Sequence, residues 1–470
     1  MIRRLALPMA FIALGGCTVG PDYQGPPTLA SKTLAAGRLP HAPSASAVAP
    51  PAARWWEGLG DAQLNGLVET ALRQSPDVAS AQARLRQSRA GLRGEETSGR
   101  PKVSAGATML RMRSPDTSAL GTGGGRGPLS LYLADFDASW EVDLFGGTRR
   151  AIEAASATAE ASEAQLGDVQ VSLAADVVQA YVDLRDRQAR LALVEASSAS
   201  EDQALELTRQ RRARGVASQL QLEQVLTQAD TTRAQRLPLQ ADIIEALDRL
   251  AALSGLEPGE LDARLGAARP LPEVPANVPE ADPAALLKAR PDVRTAERQL
   301  ASSQARIGEK TADWFPKLSL YGSLGFSAAD PSHLARSDNA TWLAVPRLTW
   351  NALDFGRVAA SVNSAEAGRD EALAHYQGVV LGALRDADTA LARYGHQREN
   401  VVLLRDIEAS ASRAAALTGE RYHAGTASTL DWLDAERTRF QAEQNRVAGD
   451  AQLLKDFTAL HKALGLGWAL

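Results

Sequence analysis

"WEVDLFGG", Trp140 to Gly147, joins aromatics, acids and glycine in an unusual phrase, and at Trp350 the chain writes nearly the same thing again, "WNALDFGR". The two copies are in register. Trp140 and Trp350, Phe145 and Phe355, and Gly146 and Gly356 are each separated by 210 residues. The same offset lays "RARGVASQLQL" (Arg212 to Leu222) onto "YHAGTASTLDW" (Tyr422 to Trp432), and Gly255-Leu256 onto Gly465-Leu466. Upstream the offset is 215: "SPDVASAQARLRQSRAGLRGEETSGRPKVS" (Ser75 to Ser104) lies over "RPDVRTAERQLASSQARIGEKTADWFPKLS" (Arg290 to Ser319). A nearly ungapped repeat of this span means one structural plan used twice. The first half carries five extra residues between Ser104 and Trp140.

The approach to the first copy decides the fold. Tyr132, Ala134, Phe136, Ala138, Trp140, Val142 and Leu144 alternate with Asp135, Asp137, Ser139, Glu141 and Asp143. Period two with one wholly apolar face is a strand, not a helix. Its mate spans about Lys102 to Arg113, and the loop between them contains "GTGGGRG" (Gly121 to Gly127). The second half repeats the hairpin at about Lys317 to Ser327 and Trp342 to Asn351, where Pro346 makes the last strand imperfect. The five extra residues are placed most simply in the first hairpin loop, where insertions are tolerated.

After each phrase the period changes. Thr148 to Arg214 reads as one helix, about 100 Å long at ~1.5 Å per residue. Leu166, Leu173, Ala180 and Val194 fall on a heptad grid, as do Leu184, Leu191 and Leu205, and the seam is rich in Ala and Ser. Arg357 to His423 repeats this helix, and both are far too long for a globular core. Gly215 and Gly425 supply the left-handed residue that ends each one. Ser218 and Ser428 then cap the return helices, with Gln221 and Asp431 three residues on, as a capping box requires.

Composition narrows the class. The net charge of -5 offers no basic field for nucleic acid. No apolar run reaches the ~18 residues of a spanning helix. Arg3 and Arg4 followed by an apolar stretch from Leu5 to Leu14 read as a secretory signal, residues 1–16. The single cysteine, Cys17, follows "LGG" in the manner of a bacterial lipobox, where the thiol is acylated. Each buried methylene would contribute about 0.8 kcal/mol to anchoring. Residues 17–60 then form the acylated N-terminus and an extended Pro/Ala/Ser tether. The first structural repeat is 61–256, a proline-rich connector 257–282, and the second repeat 283–466, with helical hairpins at about 148–254 and 356–464.

Each half offers two strands, and an isolated hairpin is marginal in water. Strands that meet lipid must close into a barrel, because every backbone group needs a partner there. Single-chain barrels begin at ~8 strands, and this chain has four, so several copies must complete the wall. The apolar face would then meet lipid, and Asp135, Asp137, Glu141 and Asp143 would line a wet lumen. They read first as a hydrated wall, with a cation bias as the sharper alternative.

At this point the residues resemble the TolC family of outer-membrane efflux channels, in its lipoprotein branch. The resemblance rests on "LGGCTVGPDY", Trp55-Trp56, the two "PDV" helix starts, the two aromatic-glycine phrases, and "RGVAS"/"AGTAS" followed by "LDAERTRFQAEQ". It covers nearly the whole chain. The fold it implies is mainly α with a membrane β-barrel: a homotrimer whose twelve strands form the outer-membrane barrel, continued by a periplasmic α-helical barrel. It implies a passive conduit for drugs or other small toxic compounds, supplied by a periplasmic adaptor (membrane fusion protein) and an inner-membrane RND-type pump. It places a periplasmic gate at Arg421, Tyr422, Leu430 and Asp434. Under three-fold symmetry Leu430 forms an apolar constriction and Asp434 a carboxylate ring. Gln221 stands where many relatives carry an acid, so an ion pair expected in the first hairpin is in doubt. The turns Gly215-Val216-Ala217 and Gly425-Thr426-Ala427 resemble the adaptor-contacting tips, although capping alone explains their glycines.

Other chemistries find no support in the sequence. The six histidines lack ligand spacing, and Met109 with Met112 is a weak basis for copper. "GTGGGRG" lacks the Lys-Ser/Thr and the helix of a phosphate loop. No catalytic triad or supported carboxylate pair is present, so neither enzyme activity nor a cofactor is expected beyond covalent lipid on Cys17. A protein-export channel and a coiled-coil lipoprotein scaffold without a barrel are the alternatives. The scaffold leaves the aromatic strand face unexplained.

Overall fold

The computed structural model describes residues 18–26, 33, 36, 38–41, 54–113, 128–275 and 283–466. The signal segment, Cys17 and the "GTGGGRG" loop lie outside the described residues. The chain forms two compact units, one of residues 1–27, 84–162 and 295–376, the other of 28–83, 163–294 and 377–470. Each unit draws on both halves of the repeat.

The first unit contains one four-stranded antiparallel sheet in the order β1 (Lys102–Arg113), β2 (Pro128–Val142), β3 (Lys317–Ala328), β4 (Ala340–Thr349). Its register confirms the duplication residue by residue. Lys102 faces Ser139 in the first hairpin. Lys317, 215 residues on, faces Thr349, 210 residues on. The offset therefore changes between the strands of the hairpin, and the five extra residues lie in its loop. Pro346, which lacks a ladder donor, is accommodated because β4 is an edge of the sheet within this chain.

The pairing aligns the faces. Ala134, Phe136 and Trp140 lie opposite Phe326, Leu324 and Leu320, and Leu324 in turn lies opposite Trp342. Phe136, Leu324 and Trp342 are exposed, so this apolar face has no cover from the described residues of its own chain. On the other face Asp135, Asp137 and Glu141 lie opposite Gly325, Ser323 and Ser319. β3 thus presents the same two faces as β2.

Helix α1 is Ala62–Gln74, α2 Pro76–Ser98, α3 Gly147–Ala213, α4 Gln219–Ala234 and α5 Arg236–Leu253. After a single turn at Asp262–Leu265 follow α6 (Pro283–Ala289), α7 (Pro291–Thr311), α8 (Arg357–His423) and α9 (Thr429–Ala463). Helices α3 and α8 each run 67 residues without a break. Along α3, Leu173, Ala180, Leu184, Val194 and Leu205 are buried, as the heptad spacing predicts, while Leu166 and Leu191 on the same grid are half-buried. The first return helix differs from expectation. It breaks at Gln235 into α4 and α5, where α9 is continuous. Pro238 explains this: it has no N–H, and its ring opposes the carbonyl four residues back.

The second unit has a polar core on one side of α3. Arg185, fully buried, donates to Gln188 Oε1 at 2.6 Å, Gln63 Oε1 at 2.8 Å and the Ala267 carbonyl at 2.8 Å. One turn earlier Tyr181 donates to Asp61 at 2.5 Å, and Asp61 also caps α1. A buried guanidinium is tolerable only when most of its donors are filled; here both terminal nitrogens are paired, while the buried Nε has no hydrogen-bond partner. An aromatic cluster forms elsewhere in this unit: Trp55 stacks on His461 at 4.9 Å, and Phe457 lies beside both. Burial pushes the His461 imidazole down to about 4.

Candidate functional site

The repeated phrase is the hinge between strand and helix, and the structure shows what its residues do. Trp140 Nε1 donates to the Gly99 carbonyl at 3.0 Å, and Trp350 Nε1 donates to the Trp314 carbonyl at 3.0 Å. Gly99 and Trp314 are themselves repeat mates, 215 residues apart. Each indole thus ties the end of one strand to the chain that enters its hairpin. Each phrase also supplies an acid that caps the long helix. Asp143 accepts from the backbone N–H of Thr148 (3.3 Å) and Arg149 (2.9 Å). Asp354 accepts from Gly356 (3.1 Å) and Val358 (2.6 Å), and those amides hold its carboxyl below the usual range. A carboxylate at a helix N-terminus satisfies unpaired donors and complements the helix dipole.

The two hinges differ in what fills them. Phe145 stacks on Phe315 at 4.5 Å. Residues 18–22 dock beside it: Val19 N–H donates to the Phe145 carbonyl at 3.0 Å. Buried Arg150 donates to the carbonyls of Val19 and Gly20, both at 3.2 Å, and to Asp22 at 2.5 Å. Gly146 sits at φ +82°, and a Cβ there would lie 2.9 Å from the Thr18 Cα, so glycine is required twice over. Tyr23 continues the docking with a 2.8 Å bond to Glu297. Among the described residues the second hinge has none of this. Phe355 is 96% exposed and holds φ +52°, and Trp350 is 62% exposed.

Among the residues assigned to the lumen wall, Asp137 accepts from the Tyr321 hydroxyl at 2.9 Å. Asp135 lies between two glycines, Gly106 on β1 and Gly325 on β3. A Cβ at Gly325 would meet the Ala134 carbonyl oxygen at 2.3 Å, so close strand approach demands glycine there. Glu141 is exposed on the same face, opposite Ser319. Asp143 stands just past the strand and serves as the helix cap.

The helical tips are built as the capping boxes require. Ser218 Oγ accepts from Gln221 N–H and Ser428 Oγ from Asp431 N–H, both at 3.1 Å, with both reciprocal bonds made. Gly215 (φ +76°) and Gly425 (φ +78°) end the long helices. Val216 is exposed, Ala217 and Ala427 are half-buried, and Thr426 Oγ1 donates to the Arg421 carbonyl at 3.1 Å. Tyr422 is 8% exposed. Its ring lies flat on Trp432 at 5.2 Å, and the Arg211 guanidinium covers it at 5.3 Å while donating to Thr429 Oγ1 at 3.0 Å. Arg211 belongs to the first repeat and Thr429 to the second, so this cation–π contact ties the two hairpins together. Sequence reasoning missed Arg211 and Trp432, because the contact joins residues of different hairpins that are not repeat mates of each other; Arg211 aligns with Arg421 and Trp432 with Leu222. Leu430 packs against the small core of Ala204, Leu205, Val225, Ala229 and Leu433. Asp434 is exposed and pairs with Arg437 at 2.5 Å. The structure brings Tyr422 together with the Ala427–Leu430 turn around a cleft of about 190 Å³; Asp434 is not among its lining residues.

The family model for outer membrane efflux proteins matches residues 67–256 and 283–466, one match per repeat. The chain belongs to that family and is an outer-membrane efflux protein. It is 31% identical over 473 residues to the antibiotic efflux pump outer membrane protein ArpC of Pseudomonas putida, covering 99% of this chain and 95% of ArpC. It is also 31% identical to the outer membrane protein OprJ of Pseudomonas aeruginosa, covering 97% of this chain and 94% of OprJ. Among solved structures it is similar to the outer-membrane channel OprN, with TM-score 0.86 and 36% identity over 96% of this chain and all of OprN.

Proposed function

We propose that the chain is the outer-membrane conduit of a tripartite efflux pump. In this reading a homotrimer forms a twelve-stranded barrel and a periplasmic helical barrel, held additionally by lipid on Cys17. An inner-membrane RND-type pump and its adaptor deliver drugs or other small toxic compounds into it. One observation carries the reading: among the described residues, a four-stranded sheet with an uncovered apolar face, an acidic face and two open edges. Such a sheet satisfies its backbone in lipid only by closing with further copies. ArpC's description as an antibiotic efflux component supports the substrate class.

The gate in this reading is the second helical tip. Leu430 narrows it, Asp434 rings it, and Arg421 and Tyr422 anchor the hairpin. Two tests address these parts. The full-length protein, co-expressed with its pump and adaptor in a strain stripped of outer-membrane efflux channels, should restore resistance to toxic compounds. Failure to restore any resistance while the protein sits correctly in the outer membrane counts against the conduit. Asp434→Ala should increase single-channel conductance and antibiotic uptake, and unchanged values remove Asp434 from the gate. Ala217→Arg or Ala427→Arg should abolish adaptor co-purification while trimers persist.

A further inference from the structure

The second unit contains a cavity of about 520 Å³. Gln179 of α3 and its repeat mate Thr389 of α8 both line it, so it lies where the two halves of the duplicated plan meet. Arg290, Arg385, Arg393 and Lys462 line it as well. All four of these cations belong to the second repeat. Their mates in the first repeat are Ser75, Ala175, Asp183 and Ala252. One half of the chain builds the same helices without these charges, so the helical plan does not require them. The sharpest contrast is a charge reversal. Asp183 is paired with Lys455, and with Arg249 at 4.0 Å. The guanidinium of its mate, Arg393, forms neither a salt bridge nor a hydrogen bond among the described residues.

The other cations differ in how far their donors are filled. Arg290 is committed to structure: its guanidinium grips Asp292 at 2.6 and 3.0 Å and donates to the Ala463 carbonyl at 2.9 Å. Arg385 pairs with Asp386 at 2.7 Å. Lys462 has a single carboxylate, Asp176, at 3.6 Å. Two carboxylates stand in the wall, and both are engaged. Asp386 is shared between Arg385 and, at 3.8 Å, Arg290, while buried Asp456 accepts from Gln452 at 2.8 Å. The side chains of Gln179 and Thr389 donate to nothing among the described residues. Two cations with spare donors, two neutral donors and a few alanine methyls thus face one concave space. Such a space suits a small ligand whose anionic group accepts charge-assisted hydrogen bonds, and the volume lies within the usual range of ~300–1,000 Å³. We propose that this cavity binds one small organic oxyanion per chain, a carboxylate or phosphate on a compact scaffold, with Arg393 and Lys462 as its charge partners. Arg393 comes from α8 and Lys462 from α9, so the bound anion also braces these two helices. The site goes beyond the conduit reading and stands without it.

The test is isothermal titration of the purified full-length protein in detergent, with citrate and inorganic pyrophosphate as probes and sodium chloride holding the ionic strength constant. At least one probe should bind saturably, once per chain, and should raise the melting temperature as the site fills. Which probe binds more tightly separates carboxylate from phosphate chemistry. Arg393→Gln and Lys462→Gln should each weaken binding about tenfold. Arg393→Glu, which gives the second repeat the charge that Asp183 has in the first, should abolish it. Arg398→Gln is the control, because it removes a cation of the same helix that lies over the Tyr394 ring, outside the cavity lining. It should leave the affinity unchanged. Absence of saturable binding by either probe overturns the site. Equal weakening by Arg398→Gln overturns it too, since the effect would then be one of net charge. Should Lys462→Gln destabilise the protein through loss of Asp176, the two Arg393 variants decide the matter with the same outcomes, because that guanidinium holds no partner in the described structure.

Discussion

The two copies of the hinge phrase share a covalent plan and differ in company. At Trp140–Gly147 the chain fills its own groove, with Thr18 to Asp22 on one side and Phe315 on the other. At Trp350–Arg357 the same indole bond and helix cap form, yet Phe355 stands bare. The parts that repeat are those a hinge needs in any context: the tryptophan bond, the carboxylate cap and the left-handed glycine. The parts that do not repeat mark where one chain ends its share of the work. An aromatic with positive φ and full exposure is costly, and such strain persists only where surrounding structure holds it.

The largest effect is expected from the face shared by both halves of the sheet. Phe136→Arg should cost about 2–4 kcal/mol per copy if that face meets lipid. Ser323→Arg, on the opposite face, should stay within about 0.5 kcal/mol. Outer-membrane fractionation and the melting of detergent-resistant oligomers read both. Equal effects would erase the distinction between a lipid face and a wet face.

Next in size is a pH effect in the second unit. His461 is 5% exposed in the Trp55 and Phe457 cluster, and burial lowers it from 6.5 to about 4. The unfolded chain binds this proton more readily, so stability is fully present above pH 6.5 and falls as pH drops toward about 4. The loss is about 3 kcal/mol at 1.36 kcal/mol per unit. Chemical denaturation should show this slope in the native protein and a flatter one in His461→Phe. An unchanged slope would assign the acid sensitivity to other groups.

The hinges themselves separate at a smaller scale. Gly146→Ala and Gly356→Ala both force a side chain into positive φ, at about 1–2 kcal/mol. Gly146→Ala also collides with Thr18, whereas nothing lies within 4 Å of a Cβ at Gly356. The first substitution should be more destabilising and should expose residues 18–26 to protease; the second should leave that segment protected. The smallest expected effect is at the tips. Ser218→Ala and Ser428→Ala each remove a cap worth about 1 kcal/mol. Hydrogen exchange should rise more at the first tip, which has no counterpart of the Tyr422–Trp432 stack.

Much of this architecture was legible because its signals are periodic and doubled. Strand alternation from Tyr132, the uninterrupted helices and both capping boxes follow from local chemistry, and the repeat corroborated each reading. What stayed hidden depends on contacts between distant segments. Arg185 looks like any solvated arginine on a charged helix until Gln63 and Ala267 arrive from elsewhere in the chain. Arg150 and Tyr23 gain meaning only once the N-terminal segment folds back. Asp143 read as a continuation of the acidic strand face, yet the strand ends at Val142 and the carboxylate turns to cap α3. Pro238 was visible, but whether a proline bends or breaks a helix depends on the packing around it.

The central claim is that one polypeptide supplies a third of a closed wall. The most direct measurement is the native mass of the full-length protein in detergent, recorded beside its conductance in planar bilayers. The account predicts a single species of three copies, with ion conduction confined to that species. A monodisperse lone subunit that conducts ions would contradict it.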